Sequence, residues 1–139
     1  MVDGIRVARA PCKTCPYRRD VPSGLWAAEE YAKLPCYDGS MLDQLMNGGG
    51  AVFDCHQSDG NICAGWLGCH GAHDLVALRL TKQDIAPAVF RFKSPVPLFK
   101  SGTQAAEHGM KAIRRPGPRA RRAIARLIGK LRGPRNKEK

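Results

Sequence analysis

The sequence has no apolar run approaching the roughly 18 residues that a membrane-spanning helix needs, so we do not expect an integral membrane protein. Its first residues, MVDGIRVARAP, lead into no apolar stretch, which argues against a secretory signal. Internal repeats are also lacking. We therefore expect a cytoplasmic protein, a setting in which most thiols stay reduced.

Aromatic residues are few, at 6% of the chain, whereas glycine and proline together number 25 of the 139 residues. This composition disfavours a long helical bundle and favours a loop-rich fold. Short helices are predicted over 23–34, 40–50 and 74–80, the first two capped by Ser23 and Ser40, and a strand over 90–93. The predicted fold is a small, irregular α+β body, mainly helical and loop-rich, organised around one metal or iron–sulfur centre and followed by a basic C-terminal helix.

Acidic residues are nearly missing from the last 29 residues, where only Glu138 stands against twelve lysines and arginines. Residues 1–110 hold eleven residues of each sign, so the whole net charge of +11 belongs to the last segment. Two parts are therefore predicted: a neutral, cysteine-bearing body over 1–110 and a basic amphipathic tail over 111–139.

The tail is predicted to form a helix over 118–132, because Pro118 suits a first helical turn and apolar residues recur at helical spacing. The predicted apolar stripe consists of Ala120, Ile124, Leu127, Ile128 and Leu131. Such a density of cations is typical of polyanion binders, and arginine favours bidentate phosphate contacts. The candidate nucleic-acid-binding residues are Arg114, Arg115, Arg119, Arg121, Arg122, Arg126, Lys130 and Arg132. The alternatives are docking on a host protein, peripheral contact with an anionic membrane, and a solvated tail that only aids solubility.

Six cysteines in a chain expected to be cytoplasmic favour metal or redox chemistry over a disulfide framework. Two of them form a C-x-x-C pair, a spacing that lets both thiolates reach one ion or cluster. A second group lies in FDCHQSDGNICAGWLGCHGAH, residues 53–73. The candidate ligands are Cys12, Cys15, Cys55 and Cys63, with Cys69, His56 and His70 in reserve. Cys36 is expected to be a free thiol. The alternative is that these cysteines are small buried hydrophobic residues.

The expected cofactor is a 4Fe–4S cluster or Zn²⁺, since four thiolates suit either. A proline directly after a cysteine, as in Cys15-Pro16, is familiar beside iron–sulfur clusters and gives the cluster a slight preference. Zinc remains open because it also accepts histidine ligands such as His56 or His70.

Complete enzyme motifs are missing. PCKTC matches half of a zinc deaminase site, but that chemistry needs an upstream H-x-E motif, and the ten residues before Pro11 contain neither His nor Glu. A thioredoxin-like dithiol normally follows a strand of a βαβ unit, and GIRVARAPC offers only a short strand. A non-enzymatic function is therefore favoured, with a redox-active iron–sulfur or dithiol protein as the alternative.

Three motifs in order resemble an uncharacterised family from actinobacteria and their phages: PCKTCPYRRDVPSGLW, CHQSDGNICAGWLGCHG and SPVPLFKSGTQAAEHG. The resemblance covers about residues 11–109 and implies a shared cysteine site, an actinobacterial or phage origin and, for a phage protein, the host cytoplasm. It brings no established activity.

A weaker likeness links the chain to the WhiB-like iron–sulfur regulators. It rests on the C-x-x-C-P-Y-R segment from Cys12 to Arg18, on the pair Cys63 and Cys69, and on a basic C-terminus. In that family the glycine–tryptophan turn follows the cluster cysteines, whereas Gly65-Trp66 lies between two cysteines here. The predicted function is a metal- or cluster-stabilised regulatory module that binds nucleic acid or the transcription machinery.

Overall fold

The computed structural model describes residues 4–55 and 60–137, with side chains to residue 129. Within these ranges the protein is a small, mainly helical α+β fold, as predicted, and it contains two very short strands. The elements are β1 (Arg6–Val7), α1 (Ala28–Ala32), α2 (Met41–Met46), β2 (Asn61–Ile62), α3 (Ala64–His70), α4 (Val76–Leu80), α5 (Pro87–Arg91), α6 (Gly102–Met110) and α7 (Pro118–Lys137), with 3₁₀ helices over Leu34–Tyr37 and Ala72–Asp74.

The two strands help to decide which cysteines meet. β1 pairs with β2 in parallel, with Arg6 opposite Asn61 and Val7 opposite Ile62. Parallel strands leave a sheet at the same edge, so the segments that follow them continue on one side. Cys63 follows β2 directly, and the C-x-x-C loop, residues 11–15, comes shortly after β1.

A second pairing places Cys55 near the same point. The Cys63 N–H donates to the Phe53 carbonyl at 2.7 Å, and the Cys55 N–H donates to the Asn61 carbonyl at 3.0 Å. The backbone of 53–55 is thereby held against that of 61–63, so both cysteines of the central region belong to one paired segment.

Most of the scarce aromatic residues gather in one core cluster beside α3. The Tyr37 ring meets the Trp66 ring edge-on at 5.3 Å and the Phe53 ring at 6.1 Å, and Tyr17 meets Phe53 at 6.2 Å. Trp66 and Tyr17 are completely buried. Edge-to-face packing of this kind stabilises the core beyond the contribution of apolar burial. The aromatic part of the core therefore lies next to the cysteines.

A buried amide joins α2 to the start of α4. Gln44 is only 1% exposed; its side chain donates to the Asp74 carbonyl at 2.7 Å and accepts from the Val76 N–H at 3.0 Å. Ser40 caps α2, as predicted, and it does so in a capping box with Asp43.

The first predicted helix is shorter than expected and is not capped by Ser23. The Ser23 hydroxyl instead donates to the Gly109 carbonyl at 3.1 Å and accepts from the Ala112 N–H at 2.8 Å. The serine therefore holds the end of α6, and α1 begins only at Ala28. A long-range partner has displaced the local capping interaction.

The strand predicted over 90–93 is wrong. The chain forms α5 there, over Pro87–Arg91, with Pro87 in the first turn and Val89 buried. The alternating pattern was too short to exclude a single helical turn, and Pro87 favours a helix start.

α7 does not stand apart from the rest of the protein. Ala123 forms an apolar cluster with Val21 and Leu25, which Ile124 and Leu127 border. The Arg119 guanidinium also donates to the Asp20 carbonyl at 3.0 Å. The first half of the tail helix is thus docked on the segment that follows the C-x-x-C loop.

The docked stripe is narrower than the predicted one. Ala120 is completely buried, but Ile128 is 44% exposed. Leu131 lies beyond the side chains that the structure describes. None of the helices in the described ranges is long and apolar enough to cross a bilayer.

Candidate functional site

Two buried sulfurs form the centre of the cysteine site. The Cys15 and Cys63 Sγ atoms lie 3.7 Å apart, and the two residues are 1% and 4% exposed. Cys63 is the N-cap of α3, where its sulfur accepts from the Trp66 N–H at 3.4 Å. The predicted ligands Cys15 and Cys63 are therefore brought together, although 48 positions separate them in the sequence.

The surroundings of this pair favour one thiolate. The pKa of Cys63 is lowered chiefly because the Cys15 thiol donates a hydrogen bond to its sulfur, and the N–H groups at the start of α3 act in the same direction. The pKa of Cys15 is raised well above its ordinary value by that same bond and by burial. A helix N-terminus is a known means of stabilising a thiolate.

Cys12 interacts electrostatically with Cys55 and with Cys63 of this pair. The pKa of Cys12 is raised first by burial and also by the nearby charges of Cys55 and Cys63. The Cys15 N–H donates to the Cys12 carbonyl at 3.1 Å, which closes the C-x-x-C turn. The convergence of all four predicted ligands on one centre stays a prediction. Among the residues that the structure describes, however, no group of three or more Cys, His, Asp or Glu side chains is arranged to hold a metal ion.

Two of the reserve ligands face a different cavity, of about 520 Å³, which Asp38 also lines. His70 lies 3.4 Å from the Tyr17 hydroxyl through Nε2 and 3.8 Å from the Asp38 carboxylate through Nδ1, so both ring nitrogens have neighbours. Burial raises the pKa of Cys69 to about 12, which keeps that thiol protonated. His56, the remaining reserve ligand, lies outside the described residues.

Cys36 occupies a separate environment, in the 3₁₀ helix after α1. Its sulfur lies 3.9 Å from the Ala32 carbonyl, the ordinary partner of a side chain one turn later in a helix. Its role as a free thiol stays a prediction.

Gly65 makes the close approach of the C-x-x-C loop to α3 possible. A Cβ atom at this position would collide with the Cys15 sulfur and lie 2.9 Å from the Tyr17 Cβ. We expect Gly65→Ala to lower the free energy of unfolding by about 1–3 kcal/mol, as overpacking does. Thermal or urea unfolding of the full chain would measure this loss.

Gly129 offers a matched control, because it is also helical but has open space where a Cβ atom would be added, with no neighbour within 4 Å. Gly129→Ala should leave stability unchanged or raise it by up to about 1 kcal/mol, since alanine is the better helix former. Equal effects of the two substitutions would show that the contact between Gly65 and Cys15 does not matter.

The candidate cations of the tail lie in different settings. Arg119, Arg122 and Arg126 face a cleft between α7 and the C-x-x-C loop. Arg114 and Arg115 are exposed on the connection that precedes α7. Arg121, a further candidate, is exposed and is not among the residues that line the cleft, whereas Lys130 and Arg132 lie beyond the side chains that the structure describes.

A family model described as a family of unknown function, DUF6283, matches residues 7–128. The chain belongs to this family. The match includes the cysteines, the aromatic core and the docked half of α7, and it runs past residue 110, where the body was predicted to end. Neither the curated proteins nor the solved structures include a significant match.

The DUF6283 assignment agrees with the predicted resemblance to an uncharacterised family. The likeness to WhiB-like regulators and the actinobacterial or phage origin stay predictions. Two cations of this DUF6283 chain that were not predicted as site residues, Lys13 and Arg18, line the same cleft as the three arginines. The sequence feature that could have identified these two residues was their position within the C-x-x-C-P-Y-R segment.

Proposed function

We propose that this protein is a metal-stabilised module that binds nucleic acid, with Cys12, Cys15, Cys55 and Cys63 holding the metal. The observation that carries the proposal is the buried Cys15–Cys63 sulfur pair, 3.7 Å apart, on a loop whose Cys12 lines a cleft together with arginines of α7. Cys12 is the partner of Cys15 in the C-x-x-C loop, and its pKa responds to the charges of both Cys55 and Cys63. A regulatory role in transcription follows only if the bound nucleic acid is DNA near a promoter.

The sulfur separation favours zinc over a cluster. Two thiolates bound to one tetrahedral zinc at about 2.3 Å stand about 3.8 Å apart. In a 4Fe–4S cluster each thiolate binds a different iron, so the sulfurs stand farther apart. The pair as folded therefore suits a single ion, and the cluster is the alternative that the visible spectrum would reveal.

The tail supports the nucleic-acid part of the proposal. The apolar side of its first half is docked on the body, so that part is less available to a partner protein or a membrane. The cationic side chains are left at the surface, where neutralising phosphates would release counterions. This division of the helix favours nucleic acid over the other two candidate partners.

A redox-active dithiol is the second candidate, favoured by the same short distance. Cys15 and Cys63 could form a disulfide by giving two electrons and two protons to an oxidant. Thiol–disulfide exchange needs access to the sulfur, however, and both are almost completely buried. Burial therefore disfavours a role in exchange with other proteins.

Full-length protein purified without oxygen would test both parts. We expect about one zinc per chain by elemental analysis and no visible absorption band. Fluorescence anisotropy with a labelled DNA duplex should show an affinity that falls about 100-fold or more between about 50 and 200 mM salt, for roughly four to six phosphate contacts. A brown protein with a visible absorption band would show that the cofactor is an iron–sulfur cluster and not zinc. A protein without metal would contradict the metal centre, and absence of binding at low salt would contradict the nucleic-acid role.

A further inference from the structure

The surface next to the candidate metal centre is a cleft of about 830 Å³. One wall is the C-x-x-C loop and the segment after it, and the other wall is the first half of α7. Its volume lies in the range of about 300–1,000 Å³ that ligand pockets occupy. The cleft joins the two parts of the chain that the charge distribution had separated.

The charge of this cleft is strongly one-sided. Five cationic side chains and one carboxylate line it: Lys13, Arg18, Arg119, Arg122, Arg126 and Asp20. The carboxylate is already neutralised, because Arg18 binds both of its oxygens, at 2.8 and 2.7 Å. That ion pair also lowers the pKa of Asp20. Asp20 is therefore not available to neutralise the other cations of the cleft.

Three of those cations have no partner within the part of the chain that the structure describes. Arg119 is committed to the Asp20 carbonyl, but Lys13, Arg122 and Arg126 make no hydrogen bond or ion pair there. Lys13 is exposed on the loop, and the two arginines are exposed on the helix. Like charges gathered without a counter-charge repel one another, so the cleft is arranged for an anion that enters from outside.

The positions of both walls are supported by packing. Trp26 packs against the main core and against the cluster that holds α7, and its indole N–H donates to the Thr14 carbonyl at 2.8 Å. The Arg18 guanidinium donates to the Pro11 carbonyl at 3.1 Å, at the other end of the loop. The loop that carries Lys13 is therefore anchored on the same residues that support the helix.

We infer that this cleft is a composite phosphate-binding site, in which Lys13 from the cysteine loop and Arg122 and Arg126 from α7 contact neighbouring phosphates of a nucleic-acid strand. The inference rests on the proposed function and adds the place of binding and a contribution from the body. Arg122 and Arg126 are separated by about 6 Å along the helix axis, the rise of about two nucleotides of one strand, and Lys13 faces them from the other wall.

The lining also indicates how the strand is recognised. Among the described residues of the cleft, the apolar members are aliphatic or proline side chains such as Leu25 and Leu127, and none is aromatic. Base stacking on aromatic rings is the usual contact of proteins that grip bases of single strands. Contact through phosphates alone carries no direct sequence information. We therefore expect binding with little sequence preference at this cleft.

The test is the charge reversal Lys13→Glu in the full chain, with Lys82→Glu as its matched control. Lys82 is an exposed lysine of the body outside the cleft lining, so both variants change the net charge equally. We expect Lys13→Glu to weaken binding of a labelled DNA duplex about tenfold or more, and Lys82→Glu to weaken it less than about threefold. Lys13→Arg should bind within about twofold of the wild type.

Folding and metal content are checked for each variant by thermal unfolding and elemental analysis. If Lys13→Glu loses its metal, Lys13→Gln is tested in place of Lys13→Glu. We expect this neutral variant to reduce the slope of log affinity against log salt by the amount that corresponds to about one phosphate contact. Equal weakening by Lys13→Glu and Lys82→Glu, or an unchanged slope for Lys13→Gln, would overturn the composite cleft and leave the proposed function standing.

Inorganic pyrophosphate distinguishes a strand from a small phosphorylated ligand. If the wild type binds no DNA but pyrophosphate raises its unfolding temperature, and not that of Lys13→Glu, the cleft is a phosphate site and the proposed function is wrong. If neither DNA nor pyrophosphate binds, both are wrong. If DNA binds and pyrophosphate competes with it in the wild type more strongly than in Lys13→Glu, the cleft is supported as the contact site of the strand.

Discussion

Cys15→Ser should leave the protein without its metal and largely unfolded at room temperature. Cys15 is 1% exposed and hydrogen-bonded to Cys63, so a serine hydroxyl would occupy a buried site and could not replace a thiolate ligand. Because metal ligands are brought together only in the native state, metal-binding free energy is folding free energy. A loss of about 5 kcal/mol would remove most of the stability that a domain of this kind has. Elemental analysis and thermal unfolding followed by circular dichroism would measure both effects.

Cys36→Ser is the matched control for this substitution. Cys36 is half-buried, and its sulfur has the Ala32 carbonyl as its partner, which a serine hydroxyl can also contact. We expect full metal content and a stability within about 1 kcal/mol of the wild type. Equal tolerance of serine at Cys15 and Cys36 would contradict a structural metal.

A chelator separates the metal from the thiols themselves. Replacing a buried hydrogen-bonding partner costs about 1–3 kcal/mol even without a metal, so a moderate loss in Cys15→Ser would be ambiguous alone. If the metal stabilises the fold, chelation of the wild type should lower its unfolding temperature to near that of Cys15→Ser. A wild type that is insensitive to chelation while Cys15→Ser unfolds would assign the pair to core packing instead.

The double variant Arg122→Glu/Arg126→Glu should weaken nucleic-acid binding about 100-fold or more. Both side chains line the cleft and have no hydrogen bond or ion pair in the described part of the chain, so their reversal removes attraction without breaking a contact of the fold. Each lost phosphate contact also removes counterion release, which should flatten the dependence of affinity on salt. Anisotropy titrations at several salt concentrations would measure both changes.

Arg114→Glu/Arg115→Glu controls for net charge. These two arginines precede α7 and are exposed outside the cleft, and their reversal changes the charge of the tail by the same amount. We expect less than about a tenfold loss. Comparable losses in the two double variants would mean that the tail binds as a diffuse cationic segment and that its docked geometry has no role.

Removing the whole tail would be a poorer experiment than these reversals. Truncation after Met110 would expose Val21 and Leu25, which Ala123 covers, and would delete the Ala112 N–H that binds Ser23. Loss of binding could then come from loss of structure. The reversals keep the apolar side of α7 and change only its charged side.

Local patterns were sufficient for part of this structure. The capping box that begins with Ser40 joins residues three positions apart, so the cap could be recognised from sequence. The spacing in the C-x-x-C loop and the segregation of charge beyond residue 110 are likewise properties of the sequence itself. The small, mainly helical α+β class followed from composition and short periodic segments.

Other features depended on partners far away in the chain. α3 contains Gly65 and Gly68, which are poor helix formers, yet this helix is held by the burial of Trp66 and Leu67 in the core. Ser23 was predicted as a helix cap, but its hydroxyl donates to the Gly109 carbonyl at the end of α6. In both cases a long-range interaction outweighed the local preference.

Residue types and short spacings were enough to predict that the thiols lie in two motifs and that the tail is cationic. Only the tertiary structure decided that Cys15 lies against Cys63, that Gly65 must lack a side chain, and that Lys13 faces the arginines of α7. The physical reason is that parallel pairing of β1 with β2 and the docking of Ala123 on Leu25 join segments that no local pattern connects.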